Sequence, residues 1–524
     1  MWVVFGSVAN YFTALSLVHE MDRFPGGPKA LATSMQPGVE AMRVLRWPAE
    51  RLDTLGGYMT YHNLIFFTFF LSVYAGVQGA RAVRGAEEHH SLEEVLATGR
   101  SRVATVADLT VGFTAVLALI TLGLGLGTAL AMTAGDGPHL AGSLITLLVS
   151  GLCALVAYAL GLLVSQLVGT SRAAGGLTTL LLALLYVLTN LADEIGALSA
   201  VRFLSPFHYA NESRALVPGL GFDPVASGVL VVMAAALLVA AAWAFERRDY
   251  AAPLWAPVRR TPHARPVRVA SRLDRRVWNA QLLRGRLGML AWSLPLAALT
   301  ALWGSLLPTV MDVWDAFESM TTAFTGGIDA APSAQYLAFV SELVAPVAAA
   351  YVVTQAAGWV ADLEQGRVEA MLAGPVSWTR LVVERAVAAV IGVLVIAVVA
   401  FLGLAVGILG TEARLSLLGM VRVLIGCALL GAAMAGMAAV AVAVLRSGLA
   451  VVALSVYLGA SYILGLLVSL YDWPLWVYRI SVFGALGHPY LDWPPVSGTL
   501  VLVGLAVAGL VGGAALAERT PKVG

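Results

Sequence analysis

Apolar runs long enough to cross a bilayer recur from one end of this sequence to the other. They lie near residues 2–18, 58–79, 105–131, 140–170, 175–196 and 225–245, and again near 287–308, 334–360, 383–410, 416–446, 448–470 and 498–518. A span needs ~20 apolar residues, because the hydrocarbon core is ~30 Å thick and a helix rises ~1.5 Å per residue. With no water there to satisfy backbone groups, each such run has to be helical. The expected fold is therefore an all-α polytopic membrane protein with about twelve transmembrane helices. Composition agrees: 12% of the 524 residues are charged, about half the fraction in a soluble domain.

The two series of spans are copies of one another. Sliding the sequence along itself pairs Ser171 with Ser447, Tyr186 with Tyr462, Ser205 with Ser481, Phe207 with Phe483 and Glu88 with Glu364, always 276 apart (447−171, 462−186, 364−88). A gap-free register over the third to fifth spans marks a duplicated unit. Six spans per copy is an even number, so both copies cross the bilayer in the same sense, as parallel repeats about an axis along the membrane normal. This gives a first half at 1–245, a linker at 246–286 and a second half at 287–524, a pseudo-dimer in one chain.

Basic residues report the topology. The linker holds eleven arginines (247, 248, 259, 260, 265, 268, 272, 275, 276, 284, 286) against Glu246, Asp249 and Asp274. By the positive-inside rule it is cytoplasmic, which places both termini and segments 80–104, 171–174, 361–382 and 446–448 inside as well. Segment 19–57 is external on this topology, and its five basic residues are balanced by five acidic ones. Residues 271–286 set Leu273, Val277 and Trp278 among arginines and predict an interfacial elbow helix before the seventh span. Lysine occurs only at Lys29 and Lys522, a bias that points to a GC-rich bacterial genome and hence to a bacterial plasma membrane. The net charge of +1 says nothing about a nucleic-acid partner, because the basic residues sit between the spans rather than in one continuous stripe, and none is expected. Cys153 and Cys427 lie in apolar stretches without disulfide or metal spacing.

Most of the chemistry sits in two loops, RGAEEHHSLEEVLATGRSR from Arg84 and ADLEQGRVEAMLAGPVSWTR from Ala361. Each sets one glutamate five residues before another, Glu88 and Glu93 or Glu364 and Glu369, then an apolar pair around Leu96 or Leu372, then a turn. The pattern predicts a short amphipathic helix on the cytoplasmic face, with carboxylates outward and leucines against the bundle. A merely solvated acidic face is the plainer reading, but its repetition in both halves favours a docking surface. The EEHH run at 87–90 lacks further ligands at helical spacing, so no metal is expected.

The run EQGRVEAMLAGP from Glu364 resembles the first cytoplasmic loop of type V ABC exporter membrane subunits, with its E, G, LE, LLA, P pattern. The first half matches less closely, having His90 at the glycine position and Gly99 at the proline position. LSPFHY from Leu204 is similar to the segment after the fifth helix of such permeases, and two fused halves look like the branch of actinobacterial exporters of polyketide-type antibiotics. The resemblance implies that the loop helices are coupling helices, with Glu88, Glu93, Glu364 and Glu369 touching two copies of a cytosolic ATPase that binds ATP and Mg. This chain has no nucleotide loop of its own: GxxxxGK[ST] is required, and both lysines follow proline.

A charge at mid-span costs about 2.5–3.5 kcal/mol on insertion scales, so polar residues in spans are pathway candidates. Glu342 lies about eight residues, or ~12 Å, into the eighth span. His62 and Asn63 occupy the second span, Tyr351 and Gln355 continue the face of Glu342, and Tyr186 and Tyr462 are a matched pair. The resemblance implies that second and fifth spans border the central pathway; hydrogen bonding between helices is the alternative role. Two GxxxG pairs, Gly123 with Gly127 and Gly403 with Gly407, predict close helix packing, Gly127 and Gly403 being in register (403−127=276).

These features combine into one expectation: the permease subunit of an ATP-driven exporter of hydrophobic or amphipathic small molecules. It needs no cofactor in this chain, and it works by offering cargo different affinities in two conformations. Two rivals remain. In a proton-coupled secondary transporter Glu342 would carry the proton, although Phe66 stands at its repeat position (342−276=66). A polytopic membrane transferase would use the carboxylates and histidines near 87–94.

Overall fold

A computed structural model describes residues 2–23, 26–41, 47–88, 90–135, 137, 139–192, 196, 199–250, 252–254, 276–312, 328, 330–374, 376–470, 475–478 and 480–519. The arginine-rich stretch 255–275 lies outside them. The chain divides into two units between Arg265 and Pro266. Both are helical, with no strand among the described residues.

The first unit contains α1 (Trp2–Arg23), α2 (Gly27–Ala41), α3 (Leu55–Ala82), α4 (Arg84–Glu88), α5 (Ser91–Ala97), α6 (Arg102–Met132), α7 (Leu140–Leu167), α8 (Ser171–Leu191), α9 (Pro206–Glu212) and α10 (Pro224–Arg247). The second contains α11 (Val277–Ser305), α12 (Leu307–Asp312), α13 (Pro332–Glu364), α14 (Arg367–Leu372), α15 (Trp378–Gly407), α16 (Leu417–Leu445), α17 (Leu449–Leu470), α18 (Leu475–Tyr478), α19 (Val482–Leu486) and α20 (Val496–Arg519). Among the described residues, ten helices are long and apolar enough to cross a membrane, and Val3–His19 and Leu449–Gly465 are shorter apolar helices at the first and eleventh expected positions. The protein is a multi-pass membrane protein built from two all-helical domains.

Helix starts follow from side-chain caps. Ser101, Thr170 and Ser205 in the first unit, and Ser377, Ser416 and Ser481 in the second, each accept a hydrogen bond from an otherwise unpaired first-turn amide. Two of these caps sit in the repeat register (377−101=276 and 481−205=276).

The expected glycine contacts are present. Gly127 faces Ser7 of α1, and Gly403 and Gly407 lie against the backbone carbonyls of Ala297 and Ala301 on α11. A Cβ at any of these positions would overlap its neighbour, so the helix backbones approach as closely as small residues allow.

One expected element differs. Of the elbow expected at 271–286, residues 271–275 lie outside the described residues, and 277–286 form the first turns of α11, which runs unbroken to Ser305. Arg284 and Arg286 fit within it because both side chains are exposed, and long arginine stems can carry their charge out of a continuous apolar helix. The segment 19–57 also holds more structure than its charge balance suggested, since α1 continues to Arg23 and α2 follows.

Both second spans are irregular within the first half of their length. In α3 the backbone widens to a π turn over Thr60–Leu64. In α13 it tightens at Leu343, whose amide bonds back to Val340 and Ser341. Pro346 supplies the cause: it has no N–H for the carbonyl of Glu342, four residues earlier.

Candidate functional site

The two acidic loops fold as the repeat predicts. In the first unit α4 and α5 meet at His90, whose backbone is left-handed at φ 61°; in the second, α13 and α14 meet at Gly366, at φ 66°. The two residues stand 276 apart (366−90), so the same turn is made once with the residue that favours it and once without. After the turn, Leu92 and Val368 are the buried anchors, again in register (368−92=276). Leu96 and Leu372, the residues expected to hold the loops, are only half-buried. Leu92 and Val368 come one residue after the first position of each helix, where the helix axis first turns a face to the bundle.

Beneath the first loop lies a cluster of charge that no short motif announces. Arg84 and Glu87 of α4 and Arg248 at the end of α10 are all nearly inaccessible, at 1%, 4% and 3% exposure. Glu87 accepts from Arg84 Nη1 at 2.9 Å and from Arg248 Nη2 at 2.5 Å. Arg248 Nε donates to Gln166 Oε1 at 2.6 Å, Arg84 Nε to the Ser165 carbonyl at 3.2 Å, and both arginines reach the carbonyl of Ala252. One carboxylate and several carbonyl dipoles thus hold two guanidinium groups away from water. Burial pulls the Arg248 guanidinium below its ordinary pKa, and its hydrogen bond to Glu87 opposes that shift. The cluster ties the loop to the ends of α7 and α10.

The second unit has a counterpart at almost the same place. Asp362 accepts from Arg367 Nε at 2.7 Å and from Arg385 Nη2 at 2.6 Å, joining the loop to α15. Its repeat position is 86 (362−276), one residue from Glu87. A carboxylate between two arginines therefore recurs under both loops, although the partners come from different elements.

The four predicted loop carboxylates are all exposed. Glu88 is also engaged at the start of α8, accepting from the Ser171 amide at 2.8 Å and from its hydroxyl. Glu93 sits 3.2 Å from His90 Nδ1, and that hydrogen bond is the main cause that holds its carboxyl below the usual pKa. Glu364 and Glu369 point to solvent on the two sides of Gly366. Beside Glu93 and Glu94, Val95 leaves 43% of its surface exposed, so the first loop presents an acidic rim with an apolar point.

The residues predicted inside the spans separate into two kinds. Asn63 donates to Asn10 Oδ1 at 3.0 Å and Thr13 Oγ1 at 2.9 Å, which makes it a link from α3 to α1. His62 stacks on Tyr58 with ring centroids 4.0 Å apart, inside the π turn. Tyr351 is buried against Gly392 of α15, and Gln355 one turn on is half-buried. Tyr186 is buried and meets Phe207 edge-on at 5.2 Å. Its repeat mate Tyr462 keeps the edge-on geometry with Phe483 at 6.2 Å but is 41% exposed.

Glu342 gains a partner that the sequence did not suggest. His488, in the turn after α19, places Nδ1 3.0 Å from Glu342 Oε1, and the two side chains keep 21% and 23% exposure. The turn is formed at Gly487, whose φ of 66° lets the chain reverse. No group of three or more metal-ligating side chains occurs among the described residues.

Comparison with known proteins divides the chain in the same place. Residues 3–250 match the family described as ABC-2 family transporter protein. Residues 280–516 match the C-terminal domain of the multidrug efflux system permease Rv1217c. No curated protein matches the chain. With one permease-type domain in each half, duplicated loops between the second and third long helices, and small-residue packing of membrane-spanning helices, the chain belongs to the ABC-2 family of transporter permeases.

Proposed function

We propose that this chain is the membrane subunit of an exporter that moves hydrophobic or amphipathic drug-like molecules out of a bacterial cell. Two copies of a separate cytosolic ATPase drive it. The halves are six-span units inserted in the same orientation, with the termini, the linker and both acidic loops in the cytoplasm. The drug cargo follows the printed function of the matched C-terminal domain, and the scarcity of charge in the spans fits it. ATP and Mg are held by the partner subunits.

The observation that carries this reading is the pair of exposed acidic loop helices, each turned at a left-handed residue, anchored by one buried apolar side chain and underlain by an arginine-clasped carboxylate. A solvated face needs no such support. A surface that transmits force does, because a docked partner can tilt the helices only if the loop moves with them as one body. In this cycle closure of the ATPases on ATP pushes the two loops, and the spans respond by changing which side of the membrane the cargo surface favours.

The test is co-expression of the chain with the ATPase from the neighbouring reading frame. Glu93→Arg combined with Glu369→Arg should abolish co-purification and cargo-stimulated ATP hydrolysis while leaving the permease folded. Undiminished co-purification would remove the docking role. The Glu342–His488 pair favours a second reading, proton coupling, which requires transport by the chain alone in a proton gradient.

A further inference from the structure

A cleft opens in the second unit where the loop-side ends of α13, α15, α16 and α20 converge. It is narrow and open to the surroundings, and most of its wall is aliphatic. Its polar lining is limited to Trp359, Trp378, Arg385 and Arg446. Two tryptophans and two arginines around an apolar slot at a helix end match the chemistry of the membrane interface, where indole rings lie at headgroup level and arginines meet phosphates.

Of the two arginines that line the cleft, Arg385 has a carboxylate partner and Arg446 has none among the described residues. Asp362 is shared by Arg367 and Arg385, and Glu384 is taken by Arg276, Arg380 and the amides of Val277 and Trp278. Glu364 on α13 and Glu518 on α20 are exposed and form no ion pair among the described residues; Arg519 follows Glu518. Arg446, just past α16 with φ 46°, makes no side-chain hydrogen bond or ion pair among the described residues. Trp359 is 2% exposed, and its indole Nε1 has no hydrogen-bond partner among them either. A buried N–H donor and an uncommitted guanidinium thus line the same slot.

We infer that this cleft binds an anionic phospholipid of the cytoplasmic leaflet. Arg446 takes the phosphate, Arg385 adds positive field, Trp359 and Trp378 flank the glycerol region, and the aliphatic wall receives the start of an acyl chain. The assignment of leaflet rests on the orientation given under Proposed function. The repeat offers an internal comparison: positions 83, 102, 109 and 170 of the first unit are Val83, Arg102, Leu109 and Thr170 (359, 378, 385 and 446 minus 276), so the set exists only in the second half.

The experiment uses the full chain, purified in mild detergent and delipidated. Phosphatidylglycerol, phosphatidylcholine with the same acyl chains, and sn-glycerol 3-phosphate are added separately, and bound ligand is read by native mass spectrometry. Phosphatidylglycerol should bind one molecule per chain in preference to phosphatidylcholine. Arg446→Gln should weaken that binding about fivefold, whereas Arg172→Gln, an exposed arginine in the first unit, should not change it. Equal binding of phosphatidylcholine, binding of glycerol phosphate alone, or an unaltered affinity in Arg446→Gln would each overturn the proposal. A second readout guards against misfolding of that variant: brominated-chain phosphatidylglycerol should quench the intact protein more than Trp378→Phe, and equal fractional quenching in the two would also refute the site. Loss of ATPase docking leaves all these outcomes unchanged, so the two readings fail separately.

Discussion

Glu87→Ala is the most informative perturbation of the loop clamp. The Glu87 side chain alone is 2% exposed and sits between the side chains of Arg84, also 2%, and Arg248, 0%. Its removal does not merely delete two hydrogen bonds; it leaves two guanidinium groups buried with only carbonyls to face. Breaking one side of a buried pair costs about 3–5 kcal/mol. The opening that relieves this is local, since the loop can swing off α7 and α10 and let water reach both arginines, while the spans stay inserted. At about 1.4 kcal/mol per power of ten, the opening equilibrium of residues 84–97 should rise by roughly two to nearly four powers of ten. Amide hydrogen exchange by mass spectrometry on the full chain in detergent reads this directly. Peptides from α4 and α5 should lose protection, and those from α14, which rests on Asp362, should not. Glu87→Gln keeps an acceptor and should fall between. Protection of 84–97 within about threefold of the parent in Glu87→Ala would show that the arginines are not held by this carboxylate, and the argument for a charge-locked loop would fail.

Other consequences are simpler to state. Gly366→Ala should destabilise the second loop by about 1 kcal/mol, because alanine resists a φ of 66°; the reverse change, His90→Gly, should relieve strain in the first, and thermal denaturation of the two variants should move in opposite directions. Glu93 has its pKa depressed in the folded state chiefly by the hydrogen bond from His90, so its contribution is present above the ordinary glutamate pKa, about 4.3, and lost as pH falls through the lower folded value; stability titrated from pH 6 to pH 3 should show an acid limb that His90→Gly flattens. Gly407→Leu should prevent α11 from seating on α15, because even a Cβ there meets the Ala301 backbone; the expected result is loss of monodisperse protein on size exclusion. Asn63→Ala removes two interhelical hydrogen bonds, each worth about 0.6 kcal/mol in a membrane setting, and should lower stability without altering cargo selectivity in an efflux assay.

Much of the helical scaffold could be read from the residues because its determinants are local. Ser101 and Ser377 cap helices through amides three residues away, Gly403 and Gly407 advertise a close backbone approach by having no side chain, and the 276-residue register carries the same turn from Gly366 to His90. The clamp was hidden because its members meet only after folding: Glu87 and Arg248 are 161 positions apart, and Glu342 and His488 are 146 apart. Burial also separates two neighbours. Of the adjacent pair Glu87 and Glu88, the sequence singled out Glu88 for its repeat mate and expected it to face outward, as it does, while Glu87 beside it is turned inward. One position along a short helix rotates a side chain by ~100°, enough to exchange water for the bundle, and nothing in the run EE says which member faces which way.

The buried position of Glu87 bears on how the loop transmits force. Leu92 and Val368 alone would let each loop helix slide, since apolar contacts are non-directional and tolerate small shifts at little cost. A carboxylate shared by two guanidinium groups does not permit this, because each charge needs donors and acceptors at fixed directions and an intermediate position leaves a buried charge unpaired. Motion of the first loop must therefore carry the ends of α7 and α10 with it or break the clamp outright. In the second half the same chemistry joins the loop to α15 instead, through Arg385. Under the proposed docking of two ATPase copies, equal pushes would then enter the two halves through different helices. Charge reversal at Glu93 alone and at Glu369 alone should thus impair cargo-stimulated ATP hydrolysis to different extents, and indistinguishable losses would count against a division of labour between the halves.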